Sequence, residues 1–374
     1  MSTMDRLITI HQPKRLEIGV GAAARVGDLA VGATRPVVIA SGPTRQYVDR
    51  LGLSGDVLVI DDVPPEPDIP AFEAVLEATR AHEPDLVVGL GGGSVLDIAK
   101  LVAALWNADQ ALRDVAGPNK VSGRTTRLFQ VATTAGTGSE AGIRALVTDP
   151  DTKSKVAVES PHLIADLAVL DPELTYSVPP AVTAATGVDA MAHCVEAFTN
   201  IKAHDLIDGY ARMGFSLVGK YLRRAVEDGT DSEARAGMML ASYYGGICLG
   251  PVNTAAGHAL AYPLGTRLSL PHGLANAIIF PHVLAYNLPV APEKTAEVAD
   301  ALGLKNAGSQ DALKAAAFEF CRSLGIEMKL KAHGADVDAL AGWADEAHAI
   351  RRLMDNNPRD LAVSDVLAIY QDAY

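Results

Sequence analysis

The first half of the chain alternates short apolar runs with longer amphipathic stretches. The apolar runs are VVIA (37–40), VLVI (57–60), LVVGL (86–90) and FQVAT (129–133). Their length and β-branched content are typical of buried strands. Segments 71–82 and 95–106 fall between these runs and repeat apolar residues with helical spacing. Strands that alternate with helices in this way predict a parallel sheet with crossover helices.

The second half of the chain has few strand signals. Alanine-rich helical stretches such as 232–247 and 311–326 dominate it, interrupted by Pro and Gly turns. The VPP tripeptide at 178–180 marks the change of pattern. We therefore predict an α/β domain over residues 1–178 and an all-helical domain over residues 179–374.

Composition narrows the classes of protein that this chain can belong to. Its 374 residues are 49% hydrophobic, enough for two domain cores, and its formal net charge is −13. Lys and Arg are scattered, which argues against nucleic acid or anionic membranes as partners. The three cysteines show no metal-type spacing, and no apolar run reaches the ~20 residues of a bilayer span. We expect a cytoplasmic protein without disulfides.

A glycine-rich turn follows the apolar run at 86–90. Gly92 and Gly93 place no side chains in the turn, and Ser94 could cap the helix that VLDIAK begins. Backbone N–H groups at such a turn can approach a pyrophosphate closely, and the helix N-terminus favours its negative charge. The turn predicts a phosphate-binding site.

A second loop, TTAGTGSE (133–140), follows the apolar run at 129–133. Thr134, Thr137 and Ser139 could donate hydrogen bonds to phosphate or ribose oxygens. Taken alone, this segment is typical of an ordinary polar turn.

Two pairs of potential metal ligands lie in the second half. Asp189 and His193 are four residues apart, so a helix would place both side chains on one face. His258 and His272 form the second pair. A carboxylate with imidazoles suits a borderline divalent metal such as iron(II) or zinc, and four ligands leave positions open for substrate.

The segment between the two histidines contains helix breakers. Pro263, Gly265 and Pro271 are expected to interrupt any continuous helix there. His258 and His272 would then come from separate elements that converge on one ion.

Together these motifs resemble those of the iron-containing (group III) alcohol dehydrogenases. The matching segments are GGGSVLDIAK, TTAGTGSE, D-x3-H at 189–193 and H-x13-H at 258–272, in the family's order and nearly end to end. The resemblance implies an N-terminal dinucleotide-binding α/β domain and an all-helical, metal-binding C-terminal domain. It also implies reversible hydride transfer between a small primary alcohol, or a hydroxyacid or semialdehyde, and NAD or NADP. A homodimer or larger homo-oligomer is expected.

The family's site residues can be placed on this sequence. Its metal ligands, for Fe²⁺ or another divalent ion such as Zn²⁺, fall on Asp189, His193, His258 and His272. Its cofactor contacts fall on Gly92, Gly93, Ser94, Asp97, Thr133, Thr134, Thr137, Ser139, Lys155 and Leu174. Ser41 stands where NAD-preferring members often have an Asp, and Arg45 follows, so the choice between NAD and NADP stays open.

One position departs from the family pattern. Tyr262 replaces a His found in many members, four residues after His258. A tyrosine can relay a proton, although its ordinary pKa of ~10 makes it a poorer base than His. Tyr262 is the candidate proton relay beside the ligand His272, and it also allows a hydroxyacid–oxoacid transhydrogenase. A dehydroquinate synthase-like lyase is disfavoured by Asp189, since its ligand set usually opens with Glu.

The remaining polar residues have ordinary structural interpretations. Lys100 and Lys153 are expected to be helix-surface and loop charges, and Cys194 and His282 to be packed structural residues. Arg144 hints at an anionic substrate, but a structural salt bridge is the preferred interpretation.

Overall fold

A computed structural model describes residues 5–152 and 154–374, so Lys153 lies outside the described residues. The chain forms two compact units, one of residues Ile10–Ser177 and one of Val178–Tyr374 together with the described residues before Ile10. The first unit is an α/β fold around a parallel sheet and the second is helical, which confirms the predicted fold class.

The described part of the α/β unit contains nine strands and three α-helices. The strands are β1 (Leu16–Ile18), β2 (Pro36–Ile39), β3 (Leu58–Ile60), β4 (Leu86–Gly91), β5 (Gly117–Pro118), β6 (Arg127–Ala132), β7 (Arg144–Asp149), β8 (Ser154–Glu159) and β9 (Leu167–Leu170). The helices are α1 (Arg25–Leu29), α2 (Ile69–His82) and α3 (Gly93–Leu105). The four predicted strands correspond to β2, β3, β4 and β6, within one or two residues at each end.

The main sheet has the order β1-β9-β6-β4-β2-β3, and all its strands are parallel. Both faces are covered: Val37 and Val87 join one apolar cluster, while Val38 and Val88 join another. Burial on both faces explains the continuous apolar runs in the sequence. A second sheet, in the order β5-β8-β7, contains an antiparallel pair.

The strand order places the loops of interest at one edge of the sheet. β4 pairs with β2 on one side and with β6 on the other. The strands of this sheet that follow β4 in the chain therefore lie on the opposite side of β4 from β2 and β3. Ligands of open α/β sheets bind outside the carboxyl ends of the strands at such a switch point. The segments that begin at Ser41, Gly92 and Thr133 all follow these carboxyl ends.

Ten α-helices build the described part of the other unit. They are α4 (Pro180–Thr199), α5 (Asp205–Glu227), α6 (Ser232–Leu249), α7 (Ala256–Leu268), α8 (His272–Asn287), α9 (Pro292–Ala301), α10 (Gln310–Ser323), α11 (Leu340–His348), α12 (Arg351–Met354) and α13 (Val363–Ala373). The predicted helical stretches 232–247 and 311–326 correspond to α6 and α10. Among the described helices, none combines the length and the hydropathy that a membrane crossing requires.

The expected effect of Pro263 was wrong in one respect. α7 continues through Pro263 and Gly265, and the chain breaks only at Ser269, whose φ is 55°, and at Pro271, which precedes α8. An interior proline costs a helix about 3 kcal/mol. Burial of Pro263 with Leu264 in the core of the helical unit offsets that cost.

Candidate functional site

Four potential metal ligands meet inside the helical unit. Asp189 and His193 lie one turn apart on α4, His258 lies in the first turn of α7, and His272 is the first residue of α8. One donor atom from each lies within 4.8 Å of the others. The structure thus brings all four predicted ligands together, from three helices.

The Asp189 carboxylate is at the centre of the group. Its Oδ1 lies 3.9 Å from His193 Nε2, 3.6 Å from His258 Nε2 and 3.6 Å from His272 Nε2. Two donors that share one ion at about 2.1 Å lie roughly 3 to 4 Å apart, so these separations suit a single metal. The His193 and His258 rings stack with centroids 4.7 Å apart.

Two further polar residues hold these ligands in place. Glu196 Oε1 lies 2.7 Å from His258 Nδ1, and its other oxygen accepts a 2.5 Å bond from the Ala255 N–H. Asn276 Nδ2 donates to Asp189 Oδ1 at 2.7 Å and lies 3.1 Å from His272 Nε2. A carboxylate on the far nitrogen of an imidazole fixes the ring and makes it a better metal ligand.

Glycines allow this close packing. A Cβ on Gly257 would lie 2.5 Å from Glu196 Oε1, and a Cβ on Gly273 would lie 2.4 Å from the Ala185 carbonyl oxygen. Side chains at these positions would push Glu196 away from His258, or shift the start of α8 that carries His272.

The electrostatics of the group favour a cation. Burial alone would raise the pKa of Asp189, but the surrounding imidazoles outweigh it and hold the pKa far below its usual range. Burial lowers the pKa of His193 to about 4, which leaves that ring neutral. For His258, burial is outweighed by Glu196 and Asp189, and its pKa rises to about 10. Two buried carboxylates therefore attract positive charge, from a proton or from a metal ion.

The residues present fit a divalent metal ion. His258 Nε2 is buried and has no hydrogen-bond partner, although its other nitrogen is held by Glu196. One carboxylate with three imidazoles is a donor set for iron(II), zinc and similar ions. No second group of three or more His, Cys, Asp or Glu donors occurs within residues 5–152 and 154–374.

One side of the metal centre faces solvent. The His272 side chain is 29% exposed, whereas the other three ligands are at most 6% exposed. Tyr262 lies there, with its ring centroid 5.8 Å from that of His272. Arg352 Nη2 donates a 3.4 Å bond to the Tyr262 hydroxyl. The four donors are therefore accessible from the side on which His272 is exposed.

In the α/β unit, the glycine turn lies against the hydroxyl-rich loop. A Cβ on Gly92 would lie 3.0 Å from Thr134 Oγ1, and one on Gly93 would lie 2.6 Å from Thr137 Cγ2. The predicted cap was wrong, because α3 begins at Gly93 and Ser94 lies inside its first turn. Ser94 Oγ instead accepts a bond from the Glu66 N–H at 3.1 Å.

A buried polar network joins α3 to this loop. Lys100 is fully buried, and its Nζ donates to Ser139 Oγ and to the Arg144 carbonyl, both at 2.8 Å. Ser139 Oγ donates to Asp97 Oδ1 at 2.5 Å, and Asp97 Oδ2 accepts from the Leu146 N–H at 2.9 Å. The expectation of a surface charge at Lys100 was wrong, since α3 packs this face against the loop and β7.

The other predicted cofactor residues differ in their surroundings. Ser41 follows β2 and bonds to Thr44, whose Oγ1 also donates to the Leu90 carbonyl at 2.9 Å. Thr133 is 3% exposed and follows β6 directly. Lys155 pairs with Glu66 and with Thr148 Oγ1. Leu174 is buried in an apolar cluster below the sheet.

The structural interpretations of three other residues are confirmed. Arg144 forms a 2.6 Å salt bridge with Glu159. His282 is 6% exposed and its Nδ1 lies 2.9 Å from Asp372 Oδ2. Cys194 is buried, which raises its pKa to about 12.

Sequence reasoning missed two residues of the candidate sites, Glu196 and Asn276, and misjudged a third, Lys100. Glu196 follows His193 by three positions and Asn276 follows His272 by four, so helical spacing alone places each beside a ligand. Lys100 follows Asp97 by three positions on α3. A search for polar residues at i+3 and i+4 from each candidate would have found all three.

Glycine turns at the switch point of a parallel sheet and an Asp–His₃ centre define a class of protein, the metal-dependent, nicotinamide-linked oxidoreductases. Comparison with known proteins agrees with that class. The family model "Iron-containing alcohol dehydrogenase" matches residues 13–172, and "Fe-containing alcohol dehydrogenase family, C-terminal" matches residues 183–374. The chain belongs to the iron-containing alcohol dehydrogenase family, and its activity is the nicotinamide-linked oxidation and reduction of alcohols and aldehydes.

Individual relatives match over nearly the whole chain. Long-chain-alcohol dehydrogenase 1 of Geobacillus thermodenitrificans is 35% identical over 91% of this chain and 88% of its own length. The crystal structure of a 1,3-propanediol oxidoreductase is similar with a TM-score of 0.93 and 29% identity, over 99% and 100% of the two chains. Sulfoacetaldehyde reductase from Bifidobacterium kashiwanohense, solved in complex with NAD⁺, has a TM-score of 0.87 and 27% identity, over 98% and 99%.

Proposed function

We propose that this enzyme interconverts short primary alcohols and their aldehydes at an Fe²⁺ ion held by Asp189, His193, His258 and His272. The observation that carries the proposal is the convergence of these four donors within 4.8 Å on three helices. Bound iron would supply Lewis-acid chemistry, polarising the substrate oxygen so that hydride leaves or enters the adjacent carbon.

The protein's own residues orient the centre and handle the proton. Glu196 lies 2.7 Å from His258 Nδ1, and by accepting from that nitrogen it would leave the Nε2 lone pair free to bind the ion. Asn276 fixes Asp189 from the opposite side. Tyr262 is the proposed proton relay, because its ring lies 5.8 Å from that of His272, the most exposed of the four ligands, and its hydroxyl is within hydrogen-bond distance of the exposed Arg352. Water is the other carrier that this exposed side allows.

The cofactor's pyrophosphate is proposed to bind at the glycine turn. Gly92 and Gly93 lie at the N-terminus of α3. Their backbone N–H groups are available there, and the helix dipole favours negative charge. Thr134 and Thr137 border the same turn and offer hydroxyl donors. Ser94, Asp97, Thr133, Ser139, Lys155 and Leu174 complete the proposed cofactor site, with Asp97 and Ser139 acting through the network that holds the loop.

We propose NAD rather than NADP as the usual cofactor. Arg45 was the sequence feature that favoured a 2′-phosphate, and its Nε lies 3.2 Å from Asp61 Oδ2. The Asp61 carboxylate offsets the Arg45 charge, and it would repel a phosphate beside Ser41. Comparing kcat/KM for NADH and NADPH in wild type and Asp61→Asn tests this choice, since NADPH use should rise in the variant.

A cytoplasmic homo-oligomer is proposed for the cellular form. All three cysteines are free and buried, as in proteins of reducing compartments. Ile18 and Val20 are exposed at the β1 edge of the sheet, 47% and 63% respectively, and a second copy could cover them. The charge of −13 and the scattered cations support a small-molecule substrate over nucleic acid.

Replacement of a single ligand tests the proposed function. His272→Ala should abolish NADH-dependent aldehyde reduction while NADH binding persists, because the nucleotide loops belong to the α/β unit. His162→Ala, which removes an exposed histidine elsewhere, is the control. Retained turnover by metal-free His272→Ala protein would overturn the proposal.

The same assay separates the alternative activities. Hydride exchange between a hydroxyacid and an oxoacid without added nucleotide would identify a transhydrogenase. A filled metal site with no nucleotide oxidation on any aldehyde would point to the lyase.

A further inference from the structure

Arg352 lies beside Tyr262, the tyrosine that contacts the exposed candidate ligand His272. It lies on the short helix α12, whose Leu353 and Met354 are buried in the same apolar cluster that Tyr262 packs against. Its Nη2 donates to the Tyr262 hydroxyl at 3.4 Å, and Tyr262 lies against the exposed ligand His272. Packing of α12 therefore holds the backbone of Arg352 near Tyr262, and its exposed guanidinium reaches the Tyr262 hydroxyl.

The charge of Arg352 is not neutralised locally. Its neighbour Arg351 pairs with Asp355, and Arg144 pairs with Glu159. Among residues 5–152 and 154–374, no carboxylate lies within salt-bridge distance of the Arg352 guanidinium. A positive charge thus stands next to the site in a chain whose overall charge is −13.

An unpaired guanidinium offers donors with the geometry of a carboxylate or a sulfonate. The net charge of −13 disfavours the approach of anions, so a local cation would help an anionic substrate to bind. We propose that Arg352 binds the anionic end of the substrate, and that the preferred substrates are short aldehydes with a terminal carboxylate or sulfonate. This proposal rests on the proposed function, and it assigns the anion-recognition role to Arg352 rather than to Arg144.

Matched substrates isolate the charge. kcat/KM would be measured for 4-oxobutanoate, for its uncharged methyl ester and for 2-oxoethanesulfonate, with the iron-loaded enzyme and NADH. Wild type should prefer an anionic aldehyde to the ester. In Arg352→Gln, the ratio of kcat/KM for the anionic aldehyde to kcat/KM for the ester should fall about 10- to 100-fold, because a hydrogen bond to a charged group contributes a factor of that size. The two anions distinguish a carboxylate site from a sulfonate site.

Arg351→Gln is the matched control. It removes the same charge one residue away, from an arginine already paired with Asp355, so the anion-to-ester ratio should stay at the wild-type value. Arg352→Lys should restore part of the ratio, because the charge returns without the planar fork.

A binding measurement gives a readout that does not depend on turnover. Calorimetric titration of the metal-loaded enzyme–NADH complex should show succinate binding more tightly than butyrate, and Arg352→Gln should remove that difference. Equal ratios in wild type and Arg352→Gln, or equal losses in Arg351→Gln, would overturn the role of Arg352 and leave the proposed function intact. Absence of turnover of every aldehyde by wild type would overturn both.

Discussion

Glu140 makes the stability of the α/β unit depend on pH. Its side chain is 2% exposed, and burial raises the pKa of the carboxyl from 4.5 to about 7 despite the nearby Lys100 charge. The folded state therefore holds a proton that the unfolded chain releases between pH 4.5 and 7. The contribution of this group to the free energy of unfolding is fully present below pH 4.5, the unfolded value. It is lost progressively as the pH rises from there through the folded value of about 7.

The magnitude follows from the two pKa values. A separation from 4.5 to about 7 is worth about 3 kcal/mol at most, of which about 2 to 3 kcal/mol is lost between pH 5 and pH 8. Glu140→Gln keeps the shape of the protonated acid and cannot ionise. The free energy of unfolding of the variant, minus that of wild type, should therefore rise by about 2 to 3 kcal/mol over this interval.

Tryptophan fluorescence can follow this unit alone. The chain has two tryptophans, and Trp343→Phe leaves Trp106 at the end of α3 as the single reporter. Urea unfolding of this background, with and without Glu140→Gln, would be measured at pH 5 and pH 8. Glu73→Gln removes an exposed carboxyl from the same unit and serves as the control. A pH-independent difference between Glu140→Gln and its parent would show that Glu140 does not titrate between pH 5 and pH 8 in the folded protein.

Three other substitutions test the contacts around the two sites. Glu196→Gln should weaken metal binding by about 10- to 100-fold, measured by competition with a chelator, because it removes the carboxylate that orients His258. Gly273→Ala should also reduce metal affinity, since its Cβ would meet the Ala185 carbonyl oxygen at 2.4 Å; unchanged affinity would show that α8 shifts freely. Lys100→Met should weaken NADH binding, seen by NADH fluorescence, while metal content stays the same; an unaltered Kd would mean that the loop holds without this network.

The central strands were predictable because both faces of the sheet are buried. A strand such as β4, with every residue buried, must be apolar throughout, and that pattern is visible in the sequence. β7 alternates buried with partly exposed residues, and β1 has only three residues, so neither produces a comparable run. The edge strand β1 of the main sheet and the strand β7 of the second sheet were missed for these reasons.

The candidate metal ligands could be named from spacing and family resemblance. The residues that hydrogen-bond to those ligands could not be named in the same way. Glu196 and Asn276 are polar residues on helices, which usually face solvent, and only packing of α7 and α8 against α4 encloses them. Lys100 was misjudged in the same way, because lysine is almost never fully buried unless it is paired. Its partners Ser139 and Arg144 lie about 40 residues away in the chain.

The position at which the helix ends between His258 and His272 also depended on tertiary packing. Local rules count Pro263 as a helix breaker, and burial of Pro263 and Leu264 overrides them. The break occurs where Ser269 adopts a left-handed conformation, which the sequence does not signal strongly.

Anomalous diffraction from crystals loaded anaerobically with iron would show whether the four donors hold the ion. Data collected on either side of the iron absorption edge would locate the ion without reference to activity. We expect one strong peak, about 2.0 to 2.2 Å from donor atoms of Asp189, His193, His258 and His272. A peak elsewhere, or no peak in crystals of protein that reduces aldehydes with NADH, would contradict that expectation.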